Sequence, residues 1–119
     1  MDESALSPSA IIVQADIYHI YARNPAGDYL ARSDCRMLAD SFDRHPQLDR
    51  LIALEQQFWS WARQHPSGQT GESWREFHLQ GLILSRRLAD LMRPLDIPVY
   101  YHSSHPALRQ SSPLKMGPF

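Results

Sequence analysis

The chain has 119 residues, 43% of them hydrophobic and 21% charged, with a formal net charge of -1 and a single cysteine. That length suits one domain, and the apolar share excludes wholesale disorder. Cys35 has no second cysteine to bridge, so a disulfide-stapled module is excluded. The near-neutral charge lacks the basic field of non-specific nucleic-acid binding, and no apolar run reaches the ~18–20 residues that span a bilayer. The acidic start, Met1-Asp2-Glu3-Ser4, does not read as a signal peptide. The expectation is one cytoplasmic domain with loosely packed ends at 1–9 and 103–119.

Charge is unevenly distributed. Residues 1–60 hold nine acids and five arginines, for -4; residues 61–119 hold four acids against six arginines and Lys115, for +3. The halves can face each other within the fold, or the basic half can form a local patch.

In chain order, Ala10 to Ala22 is rich in β-branched and aromatic residues and predicts one long strand, with His19 pointing inward near its end. Asn24-Pro25-Ala26-Gly27 is turn chemistry, and Tyr29–Arg32 predicts a short returning strand that closes a hairpin. Ser33 or Asp34 is the expected N-cap of a helix running to about Asp43. Pro46 or Gln47 should open a second helix ending near Gln64, whose stripe of Leu48, Leu51, Ile52, Phe58, Trp59 and Ala62 is broken only by Glu55. A third helix is expected from about Glu72 to Met92, with Trp74, Phe77, Gly81, Leu84, Leu88 and Leu91 as a nearly heptad seam. Ile97–His102 reads as a last strand pairing with the first. The fold class is α+β: a small two- or three-stranded sheet packed on a layer of three helices, in the order β-β-α-α-α-β.

Candidate chemistry is sparse. His102-Ser-Ser-His105, His19 and His78 are imidazoles that could bind zinc if they converged. Residues three apart on a strand point to opposite faces, however, so no metal and no cofactor is expected. A small hydrolase- or nuclease-like site between the sheet and the third helix would use His19, Arg75, His78 and His102, with histidine as general base and arginine opposite developing negative charge. No nucleophile elbow, phosphate loop or glycine fingerprint accompanies them. A helix-turn-helix fails because the second and third helices are long and seven residues separate them.

The aromatics are the most distinctive feature. Phe58-Trp59-Ser60-Trp61 goes round the second helix, and Trp61 is expected to be the exposed ring. Tryptophan beside arginine is the composition of interface hot spots, although a small domain also uses such rings as core. The first functional reading is therefore a protein-interaction module of inhibitor, immunity or adaptor type, binding a partner protein. Its surface would be Trp61, Arg63 and Arg75, or the carboxylates Asp34, Asp40, Asp43 and Asp49. The alternative is the His/Arg enzyme. Self-association through an edge strand and the aromatic patch is a third reading; nucleic-acid and membrane partners are not expected.

Overall fold

A computed structural model describes residues 6–14, 20–32, 37–64, 71–103 and 113–117. Five strands form one sheet: β1 (Ile11–Gln14), β2 (Ile20–Arg23), β3 (Tyr29–Arg32), β4 (Val99–His102) and β5 (Leu114–Gly117). Three helices stand between β3 and β4: α1 (Met37–Ser41), α2 (Leu48–Arg63) and α3 (Gly71–Met92), the last running into a 3-10 turn at Arg93–Leu95. The spatial order is β3-β2-β1-β4-β5. β1 pairs with β4 in parallel, Val13 opposite Tyr101, and all other neighbours are antiparallel. The α+β class and the pairing of first and last long segments hold.

Three details of the expected fold change. The segment from Ala10 to Ala22 is two antiparallel strands, with Val13 opposite Ala22 and residues 15–19 outside the described residues. Folding the segment back on itself lets its two halves satisfy each other's backbone hydrogen bonds, with Ile12 opposite Arg23. The sheet has five strands instead of two or three, because the first expected strand divides in two and the C-terminal segment expected to pack loosely supplies β5 at the edge beside β4. At the other end Leu6 is buried, ahead of a turn closed by the Ala10 N–H on the Ser7 carbonyl at 2.9 Å.

The helices pack on one face of the sheet, where Ile11, Val13, Tyr21, Val99 and Tyr101 meet Leu38, Leu51, Phe58, Trp61, Phe77, Leu84 and Leu88. Ile12 and Gln14 alternate to the other face and are buried as well. Both faces of β1 are therefore shielded, which is why Ile11-Ile12-Val13 reads as an unbroken apolar run instead of an alternation.

Two buried polar side chains fasten the helices. Glu55 of α2 is only 1% exposed. It accepts the N–H groups of Leu38 at 2.8 Å and Ala39 at 3.0 Å, and also the Tyr21 hydroxyl. These are the first-turn donors of α1 that an N-cap side chain ordinarily satisfies. Ser33 and Asp34, the expected caps, lie outside the described residues.

His45, buried in the α1–α2 turn, accepts the Gln47 N–H on Nδ1 at 2.8 Å, which leaves Nε2 as the N–H donor to the Leu91 carbonyl at 2.5 Å. It joins the start of α2 to the end of α3. His45→Ala is expected to cost about 1–3 kcal/mol by orphaning both partners, read as a lower urea midpoint with unchanged slope. A midpoint equal to that of the parent chain would remove His45 from the fold's supports.

Candidate functional site

Of the enzyme reading's residues, the described ones, Arg75, His78 and His102, are not brought together. His78 of α3 is buried, with Nδ1 2.8 Å from the Tyr101 hydroxyl and its ring against Trp74 at a centroid distance of 5.4 Å. Tyr101 thus points to the helical layer. His102, the next residue on β4, points to the opposite face, where its Nδ1 lies 3.4 Å from Gln14 Oε1. That same oxygen accepts Arg23 Nε at 2.8 Å. The sheet therefore separates His78 from His102. Arg75 is exposed on α3. His19, His105 and Cys35 lie outside the described residues. Among the described residues no three His, Cys, Asp or Glu side chains are grouped to hold a metal ion.

Trp61 is inside, contrary to the expectation that it is exposed. It is 4% exposed, stacks on Phe77 at 4.5 Å and 11°, and donates its Nε1–H to the Phe77 carbonyl at 2.8 Å. Three helical steps turn roughly 300°, which leaves Trp61 only about 60° from Phe58 on the wheel. Both rings share the buried arc, and the half-buried ring is Trp59. Trp61 is therefore a core ring that shows only an edge at the surface, not a protruding anchor.

The charged candidates are on the surface but apart. Asp40, Asp43 and Asp49 are exposed around α1 and the start of α2, interspersed with exposed Arg44 and Arg50; Asp34 lies outside the described residues. Arg63 is in the last turn of α2. It stands about 21 Å along the helix from Asp49 at ~1.5 Å per residue, so the acidic and basic sets form two surfaces.

One described surface with shape and apolar character is the outward side of α2 and α3. A groove of about 700 Å³ runs between them, floored by Trp61, Phe77 and Leu84 and walled by Gln57, Ser60, Gln64, Glu76 and Gln80. A continuation of about 530 Å³ reaches Arg50 and Leu91. The groove and its continuation meet where Arg87 Nη1 donates to Gln57 Oε1 at 2.9 Å. Amide walls suit hydrogen bonding to peptide-like groups.

Leu79, which lines the groove, is 56% exposed, and Ile83, one helical turn further along α3, is 37% exposed. Both lie off the heptad seam of α3, so a search for the core passes over them; the signal in the sequence is an apolar i, i+4 pair on the arc facing away from that seam.

Comparison with protein-family models, with curated proteins and with solved structures finds no match to this chain. No helix among the described residues is long and apolar enough to cross a membrane.

Proposed function

We propose that the chain is a protein-interaction module that docks a helical segment of a partner protein on the outward surface of α2 and α3. The observation that carries this reading is the exposed Leu79–Ile83 pair on α3, whose Leu79 lines an aromatic-floored, amide-walled groove. Helix-in-groove recognition uses apolar anchors at this spacing, with polar walls that set orientation. Inhibitor, immunity or adaptor roles all fit such a module. The His/Arg enzyme draws no support from histidines on opposite faces of the sheet.

A photo-cross-linking side chain at position 83, introduced in cells that make the chain natively, should give one discrete adduct. The same side chain at exposed Lys115 on β5 should give none. Absence of an adduct from position 83, or equal adducts from both positions, would count against the reading.

A further inference from the structure

α3 carries a second stripe on its outward side. Glu76, Leu79, Ile83, Arg86 and Asp90 follow one another at steps of three, four, three and four residues. That is the alternation of a coiled-coil seam. The inner seam is used by the core; the outer one has two exposed apolar residues at its centre. An acid lies toward the N-terminal side and an arginine toward the C-terminal side.

We propose that this stripe is a self-pairing surface on which a second copy of this chain lays its own α3 antiparallel. The inference rests on the interaction-module reading and names its partner. Charge order decides the partner and the register. In an antiparallel pair each layer joins the two kinds of seam position, one from each helix. A two-fold axis between Leu79 and Ile83 then sets Leu79 against Ile83 of the second copy, twice. The same axis sets Glu76 against Arg86 of the second copy, twice.

The same axis also sets position 90 against position 72, both acids, one layer farther out, but the other arrangements put like charges in the layers next to the apolar pair or lose the Glu76–Arg86 pairing. A parallel pair puts Glu76 against Glu76 and Arg86 against Arg86. Slipping the axis onto Ile83 itself puts Glu76 against Asp90. Like charges placed together in an interface suppress that arrangement. Arg86 is also held in position: its Nη1 donates to the Met116 carbonyl at 2.9 Å, and its Nε lies 3.6 Å from Asp90. A guanidinium has five N–H donors and serves several acceptors at once. Such an interface is isologous and closes at two copies.

Sedimentation equilibrium of the purified full chain tests this. The expected mass rises with concentration from 13.7 kDa toward twice that value. Ile83→Glu, at an exposed position, should hold the chain at the monomer mass, with the unfolding midpoint that the parent chain shows at concentrations where it is monomeric. Glu76→Arg should weaken association roughly tenfold or more by facing two arginines across each flanking layer. Glu76→Arg combined with Arg86→Glu should restore it, because the pairs re-form with their signs exchanged.

A chain that stays at 13.7 kDa at every concentration, or a dimer indifferent to both Ile83→Glu and Glu76→Arg, overturns the proposal. The in-cell cross-link at position 83 separates the two levels. An adduct of twice the chain mass supports self-pairing. An adduct of another mass, with a monomeric purified chain, overturns self-pairing and leaves the interaction module standing.

Discussion

Replacing Glu55 by alanine is expected to cost about 3–4 kcal/mol, a large share of the stability of a domain this size. The carboxyl group serves the second and third N–H groups of α1 and the Tyr21 hydroxyl. Each buried donor left without an acceptor costs about 1–3 kcal/mol. The sum is reduced because a five-residue helix can loosen toward water and a hydroxyl can rotate. Urea denaturation supplies the number, and amide exchange supplies the location. Leu38 and Ala39 should lose protection ahead of the α3 amides. A loss under about 1 kcal/mol, or exchange that accelerates uniformly, would show that α1 does not depend on this acceptor.

The conservative variants sharpen the assignment. Glu55→Gln keeps one acceptor oxygen but turns an N–H₂ toward a donor, with an expected cost of about 1.5–3 kcal/mol. Tyr21→Phe removes one donor and leaves both backbone bonds intact, at about 1 kcal/mol. Tyr21 also stacks on Phe58 at 5.0 Å and 6°, and phenylalanine preserves that contact. Glu55→Ala combined with Tyr21→Phe should be less costly than the sum of the two, since the hydroxyl is already without its acceptor in the first variant.

How much of this was legible from the residues follows from the length scale of each signal. α2 and α3 are written over 16 and 22 residues, so several turns of periodic apolar positions agree with one another. The Pro46 and Pro94 boundaries bracket them. The strands are four residues each, too short for alternation to distinguish one strand from a hairpin. β5 is the extreme case. Leu114-Lys115-Met116-Gly117 has no strand pattern of its own and becomes a strand by pairing with β4 across a bulge.

Glu55 looked like a defect in the apolar stripe of α2, and the reason it is there is a helix 16 and 17 residues earlier in the chain. A lone acid on an apolar stripe is itself a signal of a buried partner, because carboxyl groups are rarely buried unless paired. The surface readings suffered from the opposite problem. Trp61 has the composition of a hot spot, but burial is decided by which arc of α2 meets α3. Leu79 and Ile83 are unremarkable as residue types and are defined by the arc they occupy. Residue identity located the core, whereas the candidate surface needed the geometry of two helices together.

Gly81 is where that geometry is tightest. A Cβ at this position would lie 2.6 Å from Trp61 Cζ2 and 2.7 Å from Tyr101 Cε2. α3 therefore approaches the indole on one side and the phenol on the other as closely as a bare backbone permits. Neither ring can withdraw freely. Trp61 is held by Phe77 through its stacked ring and its Nε1–H, and Tyr101 by the His78 Nδ1. Ser85 Oγ also bonds the Gly81 carbonyl at 2.6 Å, holding the helix backbone at this turn.

Gly81→Ala thus sets two effects against each other. Helix propensity favours alanine by about 0.8–1 kcal/mol, while overpacking a dense core costs about 1–3 kcal/mol and sometimes more. Two contacts far inside van der Waals distance, both to rings held by hydrogen bonds, put the strain at the upper end. The expected net loss is about 2 kcal/mol, and Gly81→Val, which adds a branch to the same crowded point, should lose more. Trp61→Phe removes the ring atom that clashes. Its combination with Gly81→Ala should therefore be less destabilising than the sum of the single changes by about 1 kcal/mol. The decisive measurement is the urea midpoint of Gly81→Ala: a rise would mean that propensity wins and that the rings yield, and the close packing of α3 on Trp61 and Tyr101 would not be what fixes the helical layer to the sheet.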